Sequence, residues 1–242
     1  MRRLLAGLGL CAVALPTTAL AQDRARVFLN GSFAPTSLDF AETRTFTEFV
    51  EEGKIDLRYQ SDPGPGGELG LQYFFARHFG LGTSFYLSKR DGKASYDASL
   101  PHPLYLARPR KATGDVPGLS YKENAALVDL IVRTGSSPLE LMLAGGVSFF
   151  KVEADLVERI AYTQQYPYDS VTVTGVPTSK FSDSPIGWNV SGSVDYRIGR
   201  RFGLGVQARF SRAKAKLIPV TGQTVEIDAG GLQLGGGLRL YF

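Results

Sequence analysis

The chain has 242 residues with one cysteine, 28 glycines and a formal net charge of +4. A single cysteine excludes an intramolecular disulfide or a cysteine-rich zinc site, and the small positive charge does not favour nucleic acid as a partner. No residue pattern calls for a cofactor, so we expect none.

The amino terminus predicts export. It reads Met-Arg-Arg, continues with an apolar run from Leu4 to Leu15, and reaches a small-x-small sequence that ends at Ala21. This order is typical of a secretory signal peptide, and the apolar run is shorter than the roughly 20 residues that span a bilayer. We expect residues 1–21 to be a cleaved signal peptide; an anchor helix is the alternative. Cleavage would remove Cys11 and leave residues 22–242 as one domain, with 25 basic and 23 acidic residues and a net charge of +2.

The rest of the chain contains many short runs in which apolar residues alternate with small or polar ones. In the last run one parity is apolar, and the other holds glycines, Gln233, Arg239 and Tyr241. Alternation places the two sets on opposite faces of a strand, whereas a helix would mix them. Segments of about ten such residues are typical of transmembrane β-strands whose apolar set faces lipid. The predicted strands lie near 25–33, 67–75, 80–89, 122–132, 139–152, 186–198, 202–216 and 224–242.

Short and long connections alternate between these segments. The short ones lie at 76–79, 133–138 and 199–201. The long polar stretches lie near 34–66, 90–121 and 153–185. Short turns on one side and long loops on the other are the sidedness of bacterial outer-membrane barrels. We therefore predict an all-β, transmembrane, antiparallel up-and-down β-barrel of eight strands, closed so that every backbone group in lipid is paired.

Two of the long stretches contain strand-like patches. Residues 45–60 are interpreted as a structured extension within the first loop, and a ten-stranded barrel is the alternative. Residues 170–174 read Ser-Val-Thr-Val-Thr and predict that the fifth and sixth strands protrude beyond the membrane as a hairpin. The neighbouring Tyr162, Tyr166 and Tyr168 either contact an extracellular partner or form an aromatic girdle.

The export signal, the three turn-linked hairpins and the last strand resemble the OmpA/OmpX-like small outer-membrane β-barrel families. That last strand ends Arg239-Leu240-Tyr241-Phe242. The resemblance is one of architecture and transfers no activity. It implies a Gram-negative outer-membrane location, surroundings of outer-membrane lipid and lipopolysaccharide, and recognition of Phe242 by the barrel-assembly machinery during biogenesis. We expect a monomer.

The inward positions of the predicted strands carry nine charged residues. Eight strands leave a bore just wide enough for side chains to fill, and an unpaired charge there is costly. We therefore predict a salt-bridged network that closes the lumen; a charged path for a small solute is the alternative. The network residues are Arg26, Glu68, Asp129, Arg133, Glu140, Asp195, Arg197, Arg209 and Arg239.

Six cations follow the outward parity just beyond the apolar positions. With about 3.3 Å per residue and a tilt near 40°, nine residues climb roughly 20 Å, close to the ~25 Å apolar band of such barrels. The cations would stand at the level of lipopolysaccharide phosphates, and we predict that they bind them. Ordinary solvated side chains at strand ends are the alternative. The cations are Lys89, Lys122, Lys151, Arg212, Lys214 and Lys216.

Candidate catalytic residues are few. The two histidines are His78, in a short turn, and His102, which lies between two prolines with Asp97 and Ser99 nearby. Flanking prolines favour a rigid loop bend over a catalytic triad. We therefore predict a non-enzymatic barrel with a structural or surface-interaction role. A narrow porin-like channel for small solutes and a lipid A-modifying barrel enzyme are the alternatives.

Overall fold

The computed structural model describes residues 24–134, 138–217 and 224–242, so the predicted signal peptide lies outside the described residues. Thirteen β-strands make up the regular secondary structure of these ranges. Within the same ranges, no helix has the length and apolar character needed to cross a membrane. The strands are β1 Ala25–Ala34, β2 Leu38–Glu48, β3 Glu51–Ser61, β4 Gly64–Phe74, β5 Phe79–Leu100, β6 Arg110–Arg133, β7 Leu139–Val157, β8 Ala161–Gln164, β9 Val171–Gly175, β10 Thr178–Asp183, β11 Ile186–Arg197, β12 Phe202–Leu217 and β13 Val225–Tyr241.

Eight of the strands close into an antiparallel ring. The order is β1, β4, β5, β6, β7, β11, β12 and β13, and β13 pairs with β1 again through Leu240 opposite Val27. These strands are the eight predicted segments, so the predicted barrel is confirmed. The ten-stranded alternative is wrong, because β1 pairs directly with β4 and leaves β2 and β3 outside the ring.

The register of the ring fixes how steeply its strands tilt. Followed from strand to strand, the partners of Arg212 on β12 lead back to β12 at Phe202, ten residues away. Ten residues of ~3.3 Å against eight strand spacings of ~4.8 Å give a tilt of about 41°. Each residue therefore climbs about 2.5 Å along the barrel axis. A step from a residue on β12 to its partner on β11, and onward around the ring in that direction, lowers the height along the axis by about 3.1 Å toward the short turns.

The three long stretches connect the membrane-spanning strands as predicted, and most of their residues are themselves in strands. β5 and β6 pair continuously up to Leu100 and Arg110, which reduces the second stretch to a connection of residues 101–109. In the first stretch β2 and β3 form a hairpin and β3 pairs with β5, which confirms the predicted structured extension. In the third stretch the fifth barrel strand does protrude, but its partner there is β10. The alternating Val-Thr run forms β9, which pairs with β8 in a separate two-stranded sheet.

The barrel strands exchange the chemistry of their two faces part-way along their length. On β12 the outward positions from Phe202 to Phe210 are apolar or small and exposed, and the inward positions are glycine, Gln207, Arg209 and Ser211. Beyond Ser211 the outward positions are cationic and the inward ones are apolar and buried. Other strands contribute to the same upper core, whose buried members include Leu100, Leu119, Val152, Leu156, Leu217 and Ile227. An apolar outer surface suits contact with lipid, whereas a polar outer surface around an apolar core suits contact with water. The exchange therefore marks where the membrane-spanning half ends.

Candidate functional site

Asp195 is the centre of an ion-pair cluster near the short-turn end of the lumen. Its carboxylate is fully buried and accepts hydrogen bonds from Arg26 and from Nε of Arg239, the latter at 2.9 Å. Arg26 also lies 3.3 Å from Glu140, and Glu140 pairs with Arg133 at 3.2 Å. These residues come from five strands, and the tilt places all of them within about 5 Å of one height along the axis. Inward side chains of distant segments therefore meet as a single layer.

Aromatic rings line the same layer. Cζ of Arg133 is 3.6 Å from the ring centroid of Phe74, and Cζ of Arg197 is 4.0 Å from that of Tyr241. Cζ of Arg26 lies 5.2 Å from the Phe74 centroid and 5.1 Å from the Tyr241 centroid. Guanidinium groups are attracted to ring faces at these distances. Arg26 and Arg133 are thus held between carboxylates and rings, and Arg197 packs on the ring of Tyr241.

A second layer lies about 12 Å higher in the lumen, around Arg209. Its Nη1 is 2.6 Å from Oε1 of Glu68, and its Nη2 is 4.0 Å from Oδ2 of Asp129. Asn189 donates a hydrogen bond to Asp129 at 2.9 Å. Glu68, Asp129 and Arg209 are all buried. The two layers together contain all nine residues of the predicted lumen network.

The space between the two layers is small. A cavity of about 20 Å³ lies there, with Asp129, Arg209 and Arg239 in its wall. A space of this size holds about one water molecule. Above the second layer the interior becomes the apolar core of the upper half. Charged side chains and then apolar side chains therefore fill the bore at successive heights.

The predicted outward cations stand in a belt at the top of the apolar band. The tilt places them about 25–35 Å above the level of Phe202. Lys122 is half-buried and the other five are exposed. Three of the six belong to ion pairs with nearby acids: Lys151–Glu153 at 3.2 Å, Arg212–Asp228 at 3.1 Å and Lys216–Glu226 at 3.6 Å.

The histidines are held by backbone groups. Nδ1 of His78 lies 3.0 Å from a backbone carbonyl oxygen at the short-turn side. Nδ1 of His102 accepts hydrogen bonds from the N–H groups of Leu104 and Tyr105 at 3.1 and 3.2 Å, and so fixes the connection between β5 and β6. Asp97 lies exposed on the outer face of β5, and Nε2 of His102 lies 3.8 Å from Oδ1 of Asp169. In the described ranges no group of three or more His, Cys, Asp or Glu side chains could hold a metal ion.

Sequence reasoning missed the charged residues that are buried in the upper half. Glu42 and Arg44 form an ion pair on the inner face of β2, and Nη1 of Arg44 donates to the carbonyl oxygen of Glu158 at 3.0 Å. The signal that could have found this face is the alternation along β2, because Phe40 and Phe46 share its parity. Apolar residues on that parity indicate that the charges between them are also turned inward.

An open groove of about 590 Å³ lies on the extracellular surface where the β2–β3 hairpin meets β5 and β6. Phe40 and Tyr59 stack in it with ring centroids 4.6 Å apart, and Arg58 and Lys93 line it. The Tyr59 hydroxyl accepts a hydrogen bond from the N–H of Val157 at 3.1 Å, and burial raises the pKa of Tyr59 to about 12. The groove thus combines a rigid aromatic wall with charged edges.

Comparison with known proteins bears on the fold. No protein-family model matches the sequence, and no curated protein matches it. The solved outer membrane protein OprG from Pseudomonas aeruginosa is similar to this chain, with a TM-score of 0.50 over 91% of this chain and 97% of that one. The fold is that of an outer-membrane β-barrel. Sequence identity between the two barrels is 12%, so the likeness concerns the fold alone.

Two further outer-membrane barrels are similar to this one at lower scores. Neisserial surface protein A has a TM-score of 0.47 and 13% identity, over 89% of this chain and 97% of its own. The outer membrane protease OmpT from Escherichia coli has a TM-score of 0.47 and 11% identity, over 93% of this chain and 99% of its own.

Proposed function

We propose that this chain is a non-enzymatic outer-membrane barrel with a closed lumen, whose upper half presents a surface for contact with other molecules. The observation that carries the proposal is the packing of the lumen. Two layers of paired charges and the apolar core above them lie in series along one bore of eight strands. A solute would have to separate both layers to pass.

The energy of those layers supports closure. Opposite charges that are buried together are expensive to separate, because each charge would then be left without its partner in a poorly solvated space. Arg26, Asp195 and Arg239 are at most 2% exposed, so water does not replace their partners. Opening would therefore cost several times the thermal energy at each layer.

The upper half supports the contact role. Five barrel strands, β5, β6, β7, β12 and β13, extend into it from the membrane-spanning half, and its apolar core holds the β2–β3 hairpin against β5. Rigid surfaces lose little conformational entropy when they bind. The groove beside Phe40 and Tyr59 is the concave part of this surface.

Single-channel conductance of the refolded chain in a planar bilayer tests the closed lumen. We expect no stable current steps from protein whose folded state has been verified by resistance to unfolding in detergent at room temperature. A general porin inserted into the same bilayers is the positive control. Reproducible ohmic steps from the folded chain would overturn the proposal and favour a narrow channel for small solutes.

A further inference from the structure

Three lysines of the belt stand together on adjacent strands. Lys89 on β5 is the cross-strand partner of Lys122 on β6, and Lys151 on β7 is the partner of Asn124 on β6. Lys122 and Asn124 are consecutive outward residues of β6, so they and their two partners form one group on the outer surface. We call Lys89, Lys122 and Lys151 the lysine patch.

The patch contains a like-charge pair, because Lys89 and Lys122 stand directly opposite each other. Side chains that are directly opposite in an antiparallel pair have Cβ atoms about 5 Å apart, and like charges in that position are destabilising. Within the described residues, no carboxylate lies within 4 Å of the ammonium group of Lys89 or Lys122. Glu153, the cross-strand partner of Lys122, has its carboxylate paired with Lys151 at 3.2 Å, and Asp91 lies two residues from Lys89 on the same outward face of β5. An anion between Lys89 and Lys122 would remove the repulsion.

The cations on β12 are arranged differently, although they stand at a similar height. Lys214 is the cross-strand partner of Asp228, and Lys216 is the partner of Glu226. Arg212 pairs with Asp228 at 3.1 Å. Two acids therefore face three cations on that side of the belt, and no two of those cations are cross-strand partners of each other.

The height of the lysine patch selects the kind of anion. Register and tilt place its three lysines about 27–31 Å above Phe202, directly above outward apolar residues such as Leu87 and Phe149. Those residues lie at the top of the apolar band, where the hydrocarbon of a bilayer ends. An anion at this level with acyl chains below it would satisfy the lysines and the apolar surface together.

We propose that the lysine patch binds the phosphoryl groups of a phosphorylated glycolipid of the outer leaflet. A phosphate monoester carries between one and two negative charges near pH 7 and three acceptor oxygens, which matches a group of lysines better than a carboxylate does. The amide of Asn124 lies among the three lysines and supplies a further donor. The proposal does not depend on whether the lumen conducts.

The test is a lipid titration of the refolded chain in detergent, with bound lipid counted by native mass spectrometry. The probe is bisphosphorylated lipid A, and the same lipid without phosphates is the second arm. The variant K89A/K122A/K151A should bind the phosphorylated lipid about tenfold more weakly than the wild type. The matched control is R212A/K214A/K216A, which removes the same charge at a similar height and should change binding less than about twofold.

Each other outcome overturns the proposal. Unchanged binding by the lysine-patch variant would show that these lysines do not hold the lipid, and equal losses in both variants would show that only the general charge of the belt matters. Equal affinity for the dephosphorylated lipid would show that acyl chains alone bind. Displacement of the lipid by an equal concentration of inorganic phosphate would identify a site for the free anion. Because all three lysines point outward, the Lys→Gln triple variant should fold and should reproduce the loss.

Discussion

Removing the carboxylate of Asp195 should destabilise the barrel by about 3 kcal/mol. The side chain of Asp195 is fully buried and pairs with two arginines whose side chains are 1% and 2% exposed. In Asp195→Ala, Arg26 keeps Glu140 at 3.3 Å and Arg239 keeps Asn30 at 2.6 Å. Breaking a buried ion pair from one side costs about 3–5 kcal/mol, and the remaining partners place this case at the low end of that range.

The assay is urea unfolding of the chain in lipid vesicles, followed by the fluorescence of Trp188, the one tryptophan of the sequence. Asp195→Asn separates charge from shape, and we expect it to lose most of the same stability because the amide leaves Arg239 without a negative partner and Arg26 with Glu140 alone. Asp228→Ala is the matched control, since the Arg212–Asp228 pair has side chains that are 52% and 55% exposed. An exposed pair contributes less than about 1 kcal/mol. If Asp195→Ala and Asp228→Ala lose the same small amount, the lumen layer does not stabilise the barrel and the reasoning fails.

Three further predictions follow from the interior. Gly205→Ala would place a methyl group against the Asp195 carboxylate and 2.6 Å from Nη2 of Arg239, so it should lower the unfolding free energy by about 1–3 kcal/mol. Gly31→Ala is the control and should change it little, because the added methyl group meets no heavy atom within 4 Å. Equal urea midpoints for the two variants would contradict this. Leu156→Ala leaves a cavity in the upper core and should lower the free energy of urea unfolding by about 3 kcal/mol. Membrane insertion, measured by flotation with vesicles, should not change. A loss of insertion would mean that the upper core is not separate from the spanning half. Burial raises the pKa of Tyr59 from 10.0 to about 12, so its contribution to stability is fully present below pH 10 and is lost as the pH rises through 12. Tyr59→Phe should therefore flatten the decline of the unfolding free energy between pH 10 and 12, and an unchanged slope would exclude Tyr59 as its cause.

The spanning half could be read from the sequence because one alternation decides both faces. Outward residues such as Leu204 and Val206 and inward residues such as Arg209 follow from parity alone, and the structure has them on those faces. The positions of all eight barrel strands follow in the same way. Which inward charges meet could not be read, because Arg26 and Asp195 are 169 residues apart and their contact depends on the tilt of the whole ring.

The upper half was missed for a different physical reason. Above the membrane the strands still alternate, but their polar residues face outward and their small apolar residues, such as Ala94 and Ala98, face inward. A search for strands that requires apolar residues at the outward positions finds polar residues there, as in a loop. The continued pairing of β5 with β6 shows that it is a strand with the opposite face buried. Reading both parities separately along 90–121 would have found it.

The exchange of faces also sets the bilayer thickness that this barrel matches. From the short turns to the outward apolar residues just below the lysines, the lipid-facing band measures about 25 Å. Typical bilayers have a hydrocarbon core of about 30 Å, and the bacterial outer membrane is thinner than average. In a thicker bilayer, lipid around the barrel would have to compress, because sinking deeper would bring Lys89 and Arg212 into hydrocarbon. Such mismatch costs fractions of a kcal/mol per Å. The height at which the apolar and polar faces of the strands exchange therefore favours thin membranes, and it fixes how far the upper half stands above them.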